Sequence, residues 1–133
     1  MKQKQTTQAG QDWNLMLVAM SEAAPAPLLE HLSHAIVACG GWVLSHGEVS
    51  KQCADIDFEF PRAHAMEIYC LLVGAGVELS LEAHGQLAAL CHCTRQLGEE
   101  ERSVAARVNL SVYARAQGEA FLGDAVGALP QAA

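Results

Sequence analysis

The stretch Leu28–Phe60, LLEHLSHAIVACGGWVLSHGEVSKQCADIDFEF, decides the fold, because a helical pattern is followed at once by a hairpin pattern. Its first apolar residues recur at the spacing of one buried helical face, and Gly40-Gly41 ends that helix. Residues 42–49 and 54–60 then read as two strands joined by a short polar turn. The stretch therefore predicts a helix followed by a β-hairpin.

A strand and a second helix flank this unit. Trp13–Met20 (WNLMLVAM) is apolar at both odd and even positions, which predicts a central strand covered on both faces. Pro61 suits the start of a second helix, since a missing N–H costs nothing there. Gly74 and Gly76 end that helix.

The segments after the second helix are predicted as strands. Val77–Ala83 and Gln86–Thr94 are apolar enough for strands, with His84-Gly85 as a bulge or turn between them. Arg107–Tyr113 alternates apolar and polar residues, which indicates a further strand. Residues 118–133 are rich in Ala and Gly and predict a weak helix or a tail.

The element order predicts an α+β protein with a ferredoxin-like βαββαβ sandwich. Its sheet is expected to be antiparallel, with both helices on one face and one or two extra C-terminal strands. The predicted division is a flexible tail at 1–11, the ferredoxin-like domain at 12–94 and a C-terminal extension at 95–133. Met16, Val18 and Met20 would leave the other sheet face apolar, so we expect a homodimer or the late strands to cover it.

Composition excludes several classes of partner. The 133 residues fit one domain, and a net charge of -7 opposes both nonspecific nucleic-acid binding and attachment to an anionic membrane surface. No apolar run approaches the length of a membrane-spanning helix, and the first 11 residues are polar rather than signal-like. We therefore expect a soluble, cytoplasmic protein with no nucleic-acid or membrane partner.

Residues 13–94 resemble the ACT domain, a small regulatory ligand-binding module with a ferredoxin-like fold. The resemblance rests on the apolar first strand, the helix LLEHLSHAIVACGG, the hairpin after it and the close LVGAGVEL at 72–79. The family usually places an acidic residue and a Pro-Gly pair before the first helix, whereas Ser21–Pro27 (SEAAPAP) has prolines but no glycine. The resemblance implies that this loop and the following hairpin strand contact an amino-acid ligand.

Two places could bind such a ligand. The start of the first helix offers free backbone N–H groups beside Ser21 and Glu22. On the hairpin, a three-residue loop would place Asp57 opposite Ser45, leaving room for a cation or an amine, whereas a four-residue loop would place His46 opposite Asp57. The candidate ligand-binding residues are Ser21, Glu22, Ser45, His46 and Asp57.

Neither metal nor cofactor chemistry is predicted. The five cysteines are expected to be reduced thiols, and Cys91-His92-Cys93 would split its ligands between two faces if it lay on a strand. His31 and His34 share a helix face without a third ligand nearby. The alternating carboxylates Asp55, Asp57 and Glu59 are expected to form a solvated face, since a hard-cation site needs ligands from several elements.

Three functions remain open at this point. The first is a non-catalytic regulatory module that dimerises and binds a small metabolite, possibly an amino acid. The second is a protein–protein interaction or assembly subunit, in which the acidic strand face or the exposed helix face docks a basic partner. The third is a small enzyme using His46 or His84 as acid or base, although no nucleophile pairs with either.

Overall fold

The computed structural model describes residues 13–115, which form one five-stranded sheet with helices packed on it. The predicted tail at 1–11 and the predicted weak helix or tail at 118–133 lie outside the described residues. The elements are β1 (Asn14–Ser21), α1 (Pro25–Ala38), β2 (Trp42–Ser50), β3 (Cys53–Pro61), a 3-10 turn (Arg62–His64), α2 (Ala65–Gly74), β4 (Val77–Leu79), α3 (Leu81–Arg95), α4 (Glu99–Arg102) and β5 (Ala105–Ala114).

The strand order is β2-β3-β5-β1-β4, and the sheet is mixed. β5 runs parallel to β1 and antiparallel to β3, while the pairs β2–β3 and β1–β4 are antiparallel. The prediction of an α+β protein is confirmed, and the prediction of an antiparallel sheet is only partly right, since three of the four strand pairs are antiparallel. The five-stranded order does not reproduce the predicted ferredoxin-like βαββαβ sheet. The difference arises because β5, which belongs to the predicted extension, lies between β3 and β1 rather than at an edge.

One face of the sheet carries the core. Alternate residues of β1, β3 and β5 are buried against the helices, as expected for a sheet with one covered face. We call the other side the open face; Met16 is 69% exposed there, while Val18 and Met20 are partly buried. Within the described chain, β1 is therefore central but covered on one face only. The buried strand residues include Leu15, Leu17, Ala19, Ala54, Ile56, Phe58, Phe60, Ala106, Val108, Leu110 and Val112.

The predicted strand at Gln86–Thr94 is wrong, because residues 81–95 form helix α3. The predicted strand at Val77–Ala83 is correspondingly short and ends at Leu79. Ser80 caps the helix by accepting a hydrogen bond from the backbone N–H of Ala83 at 3.1 Å. The buried residues of α3 recur three and four positions apart, so its apolar run is one face of a helix rather than a buried strand: Ala83, Leu87, Leu90, Cys91 and Thr94.

The glycines predicted to end α1 and α2 do so. Gly40 and Gly76 have φ of 97° and 92°, a conformation that glycine adopts without a Cβ clash. At Gly41 a Cβ would lie 2.9 Å from the backbone oxygen of Glu59, so glycine permits the close approach of this turn to β3. No helix among residues 13–115 is long and apolar enough to cross a bilayer.

Stability is expected to fall as pH rises above about 9. Burial is the largest cause that raises the pKa of Cys53 above 9.0 and that of Tyr113 above 10.0, and each group is hydrogen-bonded to the other. The unfolded chain ionises first, so this contribution to stability is complete below the unfolded pKa values. It is lost as pH rises from those values through the higher pKa values of the folded state. Urea unfolding in a reducing buffer from pH 8 to 11 measures the decline.

The matched variant for this prediction is the double substitution Cys53→Ala with Tyr113→Phe. It removes both ionisations, so its decline should be shallower, the remainder coming from Cys39 and Cys91, whose pKa values burial also raises. An equally steep decline in this variant would contradict the assignment.

Candidate functional site

Two of the predicted ligand-binding residues meet on the open face. Ser45 lies opposite Asp57 in the sheet register, as the three-residue-loop alternative predicts, and Asp55 lies opposite Gly47. Arg107 of β5 donates to both carboxylate oxygens of Asp57, at 2.8 and 3.3 Å. Because this carboxylate already has a bidentate cationic partner, Asp57 is a weak candidate for holding an amine or a metal ion.

The other three predicted residues lie elsewhere. Ser21 is buried, and its Oγ donates to the backbone oxygen of Ala23 at 2.7 Å, which makes it a turn residue. Glu22 is exposed and forms an ion pair with Arg115 at 2.9 Å. His46 lies opposite Ile56, on the side of the sheet that faces the helices. The five residues therefore do not form one site.

His46 lines a shallow groove of about 440 Å³ between the start of α1 and the hairpin, which we call the edge groove. Ala26 and Pro27 of the loop and His46 of the hairpin strand, the two segments that the resemblance implies as ligand contacts, both line it. Its polar side chains are His46, Glu30 and Glu48, all exposed. Within residues 13–115, no three His, Cys, Asp or Glu side chains cluster closely enough to hold a metal ion. The lining residues are Ala26, Pro27, Leu29, Glu30, His46, Gly47, Glu48 and Ala54.

A second cavity is lined by a buried arginine, Arg62. Arg62 directly follows β3, where its backbone N–H donates to the oxygen of Val104 at 3.0 Å. The residue is only 2% exposed, although arginine is rarely buried without a charged partner. Its guanidinium carbon lies 5.3 Å from the centroid of the Trp13 ring, and its Nε donates to Thr94 Oγ1 at 3.2 Å. The stacking and the hydrogen bond hold the guanidinium in one orientation.

The positive charge of Arg62 has no carboxylate partner in the described chain, although the Cys93 thiol lies near enough to oppose the effect of burial on its pKa. No carboxylate of residues 13–115 lies within 4 Å of it, and neither of its Nη groups hydrogen-bonds to any of those residues. Burial lowers the pKa of the Arg62 guanidinium below its ordinary value. Almost complete burial is unfavourable for an unpaired charge. The Nη atoms of Arg62 are not among the fully buried unpartnered atoms of the described residues, so they reach the cavity, where an anion supplied from outside could bind them.

Two more arginines line the same cavity of about 170 Å³, which we call the arginine pocket. Arg102 is fixed by donating from Nε to the backbone oxygen of Leu97 at 3.1 Å and from Nη2 to that of Arg95 at 3.4 Å. Neither Arg95 nor Arg102 lies within 4 Å of a carboxylate of the described residues. The remaining lining residues are Ala63, Ala65, Met66, Cys91 and Thr94.

The arginine pocket concentrates positive charge in an acidic protein. The chain has 8 Lys and Arg against 15 Asp and Glu, and three of those eight line this one cavity. Every Lys or Arg between positions 52 and 106 is among them: Arg62, Arg95 and Arg102. In the sequence, the only sign of the pocket is that these three positions are all arginine. They can come together only because residues 81–95 form a helix, which the sequence analysis did not predict.

The arrangement favours binding rather than catalysis. Cys91 lies in the pocket wall, but burial raises the pKa of its thiol, so the nucleophilic thiolate is disfavoured. His84, one candidate acid or base, is in α3 rather than a turn, and its Nδ1 lies 2.7 Å from the Tyr69 hydroxyl. Neither ring of this pair lines the pocket.

Comparison with known proteins finds no matching family model, no matching curated protein and no matching solved structure. The function is therefore inferred from the geometry of the arginine pocket.

Proposed function

We propose that this protein is a non-catalytic module that binds a small organic anion in the arginine pocket. The observation that carries the proposal is Arg62, a buried guanidinium with two free Nη groups and no carboxylate partner in the described chain. The carboxylate of an amino acid is the first candidate ligand group, consistent with the metabolite-binding function expected from the sequence.

Each arginine has a distinct part in this proposal. Trp13 and Thr94 orient the Arg62 guanidinium, so that its Nη groups can donate to a carboxylate or phosphate. Arg95 and Arg102 add positive charge, and Arg102 is held by backbone oxygens before any ligand binds. Such preorganisation lowers the entropy that must be lost on binding.

The size of the pocket limits the ligand. A cavity of about 170 Å³ is smaller than the range of about 300–1,000 Å³ found for drug-sized ligands. It suits a compact molecule or the anionic head of a larger one. Ala65, Met66 and Cys91 offer an apolar wall for a short aliphatic chain.

A regulatory role and the likeness to the ACT domain remain predictions. What supports a binding role is the arginine pocket, a cavity lined by three arginines. Nothing in the geometry favours the enzyme alternative based on His46, because that side chain is exposed in a shallow groove.

Thermal and urea denaturation with a ligand panel tests the proposal. The panel contains amino acids, dicarboxylates, inorganic phosphate and a phosphomonoester, with the uncharged amides of the same carboxylates as controls. At one hundred times its dissociation constant, a ligand that binds only the folded state should stabilise it by about 2.7 kcal/mol. Separate responses to carboxylates and phosphates identify the anion.

Two arginine variants localise the effect. Arg95→Gln should weaken binding at least tenfold, since it removes a charge that lines the pocket. Arg107→Gln is the matched control, because Arg107 lies on the open face and pairs with Asp57. Equal weakening by the two variants, equal stabilisation by the amides, or a panel without any stabilising anion would each contradict the proposal.

A further inference from the structure

Strand β2 is a long edge strand with nothing covering its outer side in the described chain. It has nine residues, and all except Val43 are exposed, including Leu44 and Val49 at 44% and 64%. It contains neither proline nor lysine, two residues that protect edges from pairing. It does carry two irregularities, between Val43 and Ser45 and between Glu48 and Ser50, which confine regular pairing to its central residues. The opposite edge, β4, has three residues and exposes little backbone.

We propose that β2 pairs antiparallel with β2 of a second copy, forming a ten-stranded sheet across a two-fold axis. A strand pairing with its own copy under two-fold symmetry is antiparallel and self-complementary. The proposal concerns assembly and stands independently of the arginine pocket, which lies at the opposite end of β3 from the edge groove.

Charge complementarity selects the register. Irregularities in β2 leave Ser45–Glu48 as its regular central part. Residues that face each other in an antiparallel pair point to the same side of the sheet. Because the two strands are identical, each possible register therefore pairs one residue of β2 with the same residue of the other copy. Placing Gly47 there sets His46 of each copy opposite Glu48 of the other, which produces two pairs of imidazole and carboxylate.

The neighbouring registers lack this complementarity. Placing His46 opposite itself brings two imidazoles together and sets each Glu48 against Leu44 of the other copy. Placing Glu48 opposite itself brings two carboxylates together, which is unfavourable.

The pairing would also complete the edge groove. His46, Gly47 and Glu48 all line that groove, and they are the residues nearest the proposed axis. The grooves of two copies would therefore adjoin, and the second copy would contribute His46 and Glu48 to the wall of each. In the dimer, the second copy would supply the part of the wall that the single chain leaves open.

Sedimentation velocity on the full chain tests the proposal with a charge swap. The unaltered protein should be a dimer, and His46→Glu and Glu48→His alone should each raise the dimer dissociation constant at least tenfold. The double variant His46→Glu with Glu48→His restores opposite partners in the same register and should restore dimerisation. Both positions are exposed, so the monomer fold should be retained, as circular dichroism can show.

His92→Glu is the matched control, because His92 is an exposed histidine on α3, a helix that packs against β1 and β4. It should leave the dimer dissociation constant unchanged. A monomeric unaltered protein, a dimer insensitive to both single variants, or failure of the double variant to restore the dimer would each overturn the proposal. Insensitivity would place the contact on another surface, such as the open face.

Discussion

Replacing Arg62 with methionine is expected to stabilise the ligand-free protein while abolishing its response to anions. Methionine has a similar length and no charge, so the substitution removes the penalty for burying an unpaired guanidinium. The variant loses the contact with Trp13 and the hydrogen bond to Thr94, which offset part of that gain. We expect a net increase of about 1–2 kcal/mol in the free energy of unfolding.

Urea unfolding with and without the best anion of the panel measures both effects. With ligand at one hundred times its dissociation constant, the unaltered protein should gain about 2.7 kcal/mol and Arg62→Met nothing. Arg62→Lys is the matched control, because it keeps the charge but loses the planar fork, so it should bind weakly without gaining stability. A ligand-free Arg62→Met protein that is less stable than the unaltered one would show that Arg62 is a structural residue.

Replacing Phe58 with alanine is expected to lower the free energy of unfolding by about 3–5 kcal/mol, a larger change than that expected for Arg62→Met. Phe58 lies at the middle of β3, is fully buried and stacks at 6.0 Å from the ring of Phe60. It is paired with Val108 on β5 and Val43 on β2, so the cavity would open where three strands meet the helices. A small domain loses a large part of its total stability at such a site.

Chemical denaturation measures this loss, with Met16→Ala as the control. Met16 is also in the sheet but is 69% exposed on the open face, so its truncation should change the free energy of unfolding by less than about 0.5 kcal/mol. Similar losses in the two variants would mean that the open face of the sheet is covered by another part of the chain or by a second copy.

The elements from β1 to α2 could be predicted because their patterns are local. The helix pattern before Gly40, the alternation of β3 and the glycines after each helix act within a few residues of the chain. Helix α3 was mistaken for a strand because Leu87–Cys91 is a continuous apolar run, which periodicity alone cannot assign to a helix or a strand. Its buried set and the Ser80 cap carried the helical signal.

The sheet order and the site depended on contacts between distant residues. Nothing local to Ala105–Ala114 indicates that it lies between β3 and β1, since an alternating strand fits an edge or a centre equally well. The arginine pocket joins the end of β3 to α3 and α4, with Trp13 stacked on Arg62. Because the pocket residues Cys91, Thr94 and Arg95 lie on α3, predicting a strand there made the pocket impossible to predict.

The central position of β5 has a consequence for how the protein is made. During translation the ribosome produces β1 to β4 first, and the native pairings among these strands make two separate ribbons, β2 with β3 and β1 with β4. Each ribbon presents an unpaired backbone edge that waits for the same late segment, a situation in which nascent chains aggregate. The nascent chain should therefore be most prone to aggregate before β5 emerges and joins the two ribbons into one sheet.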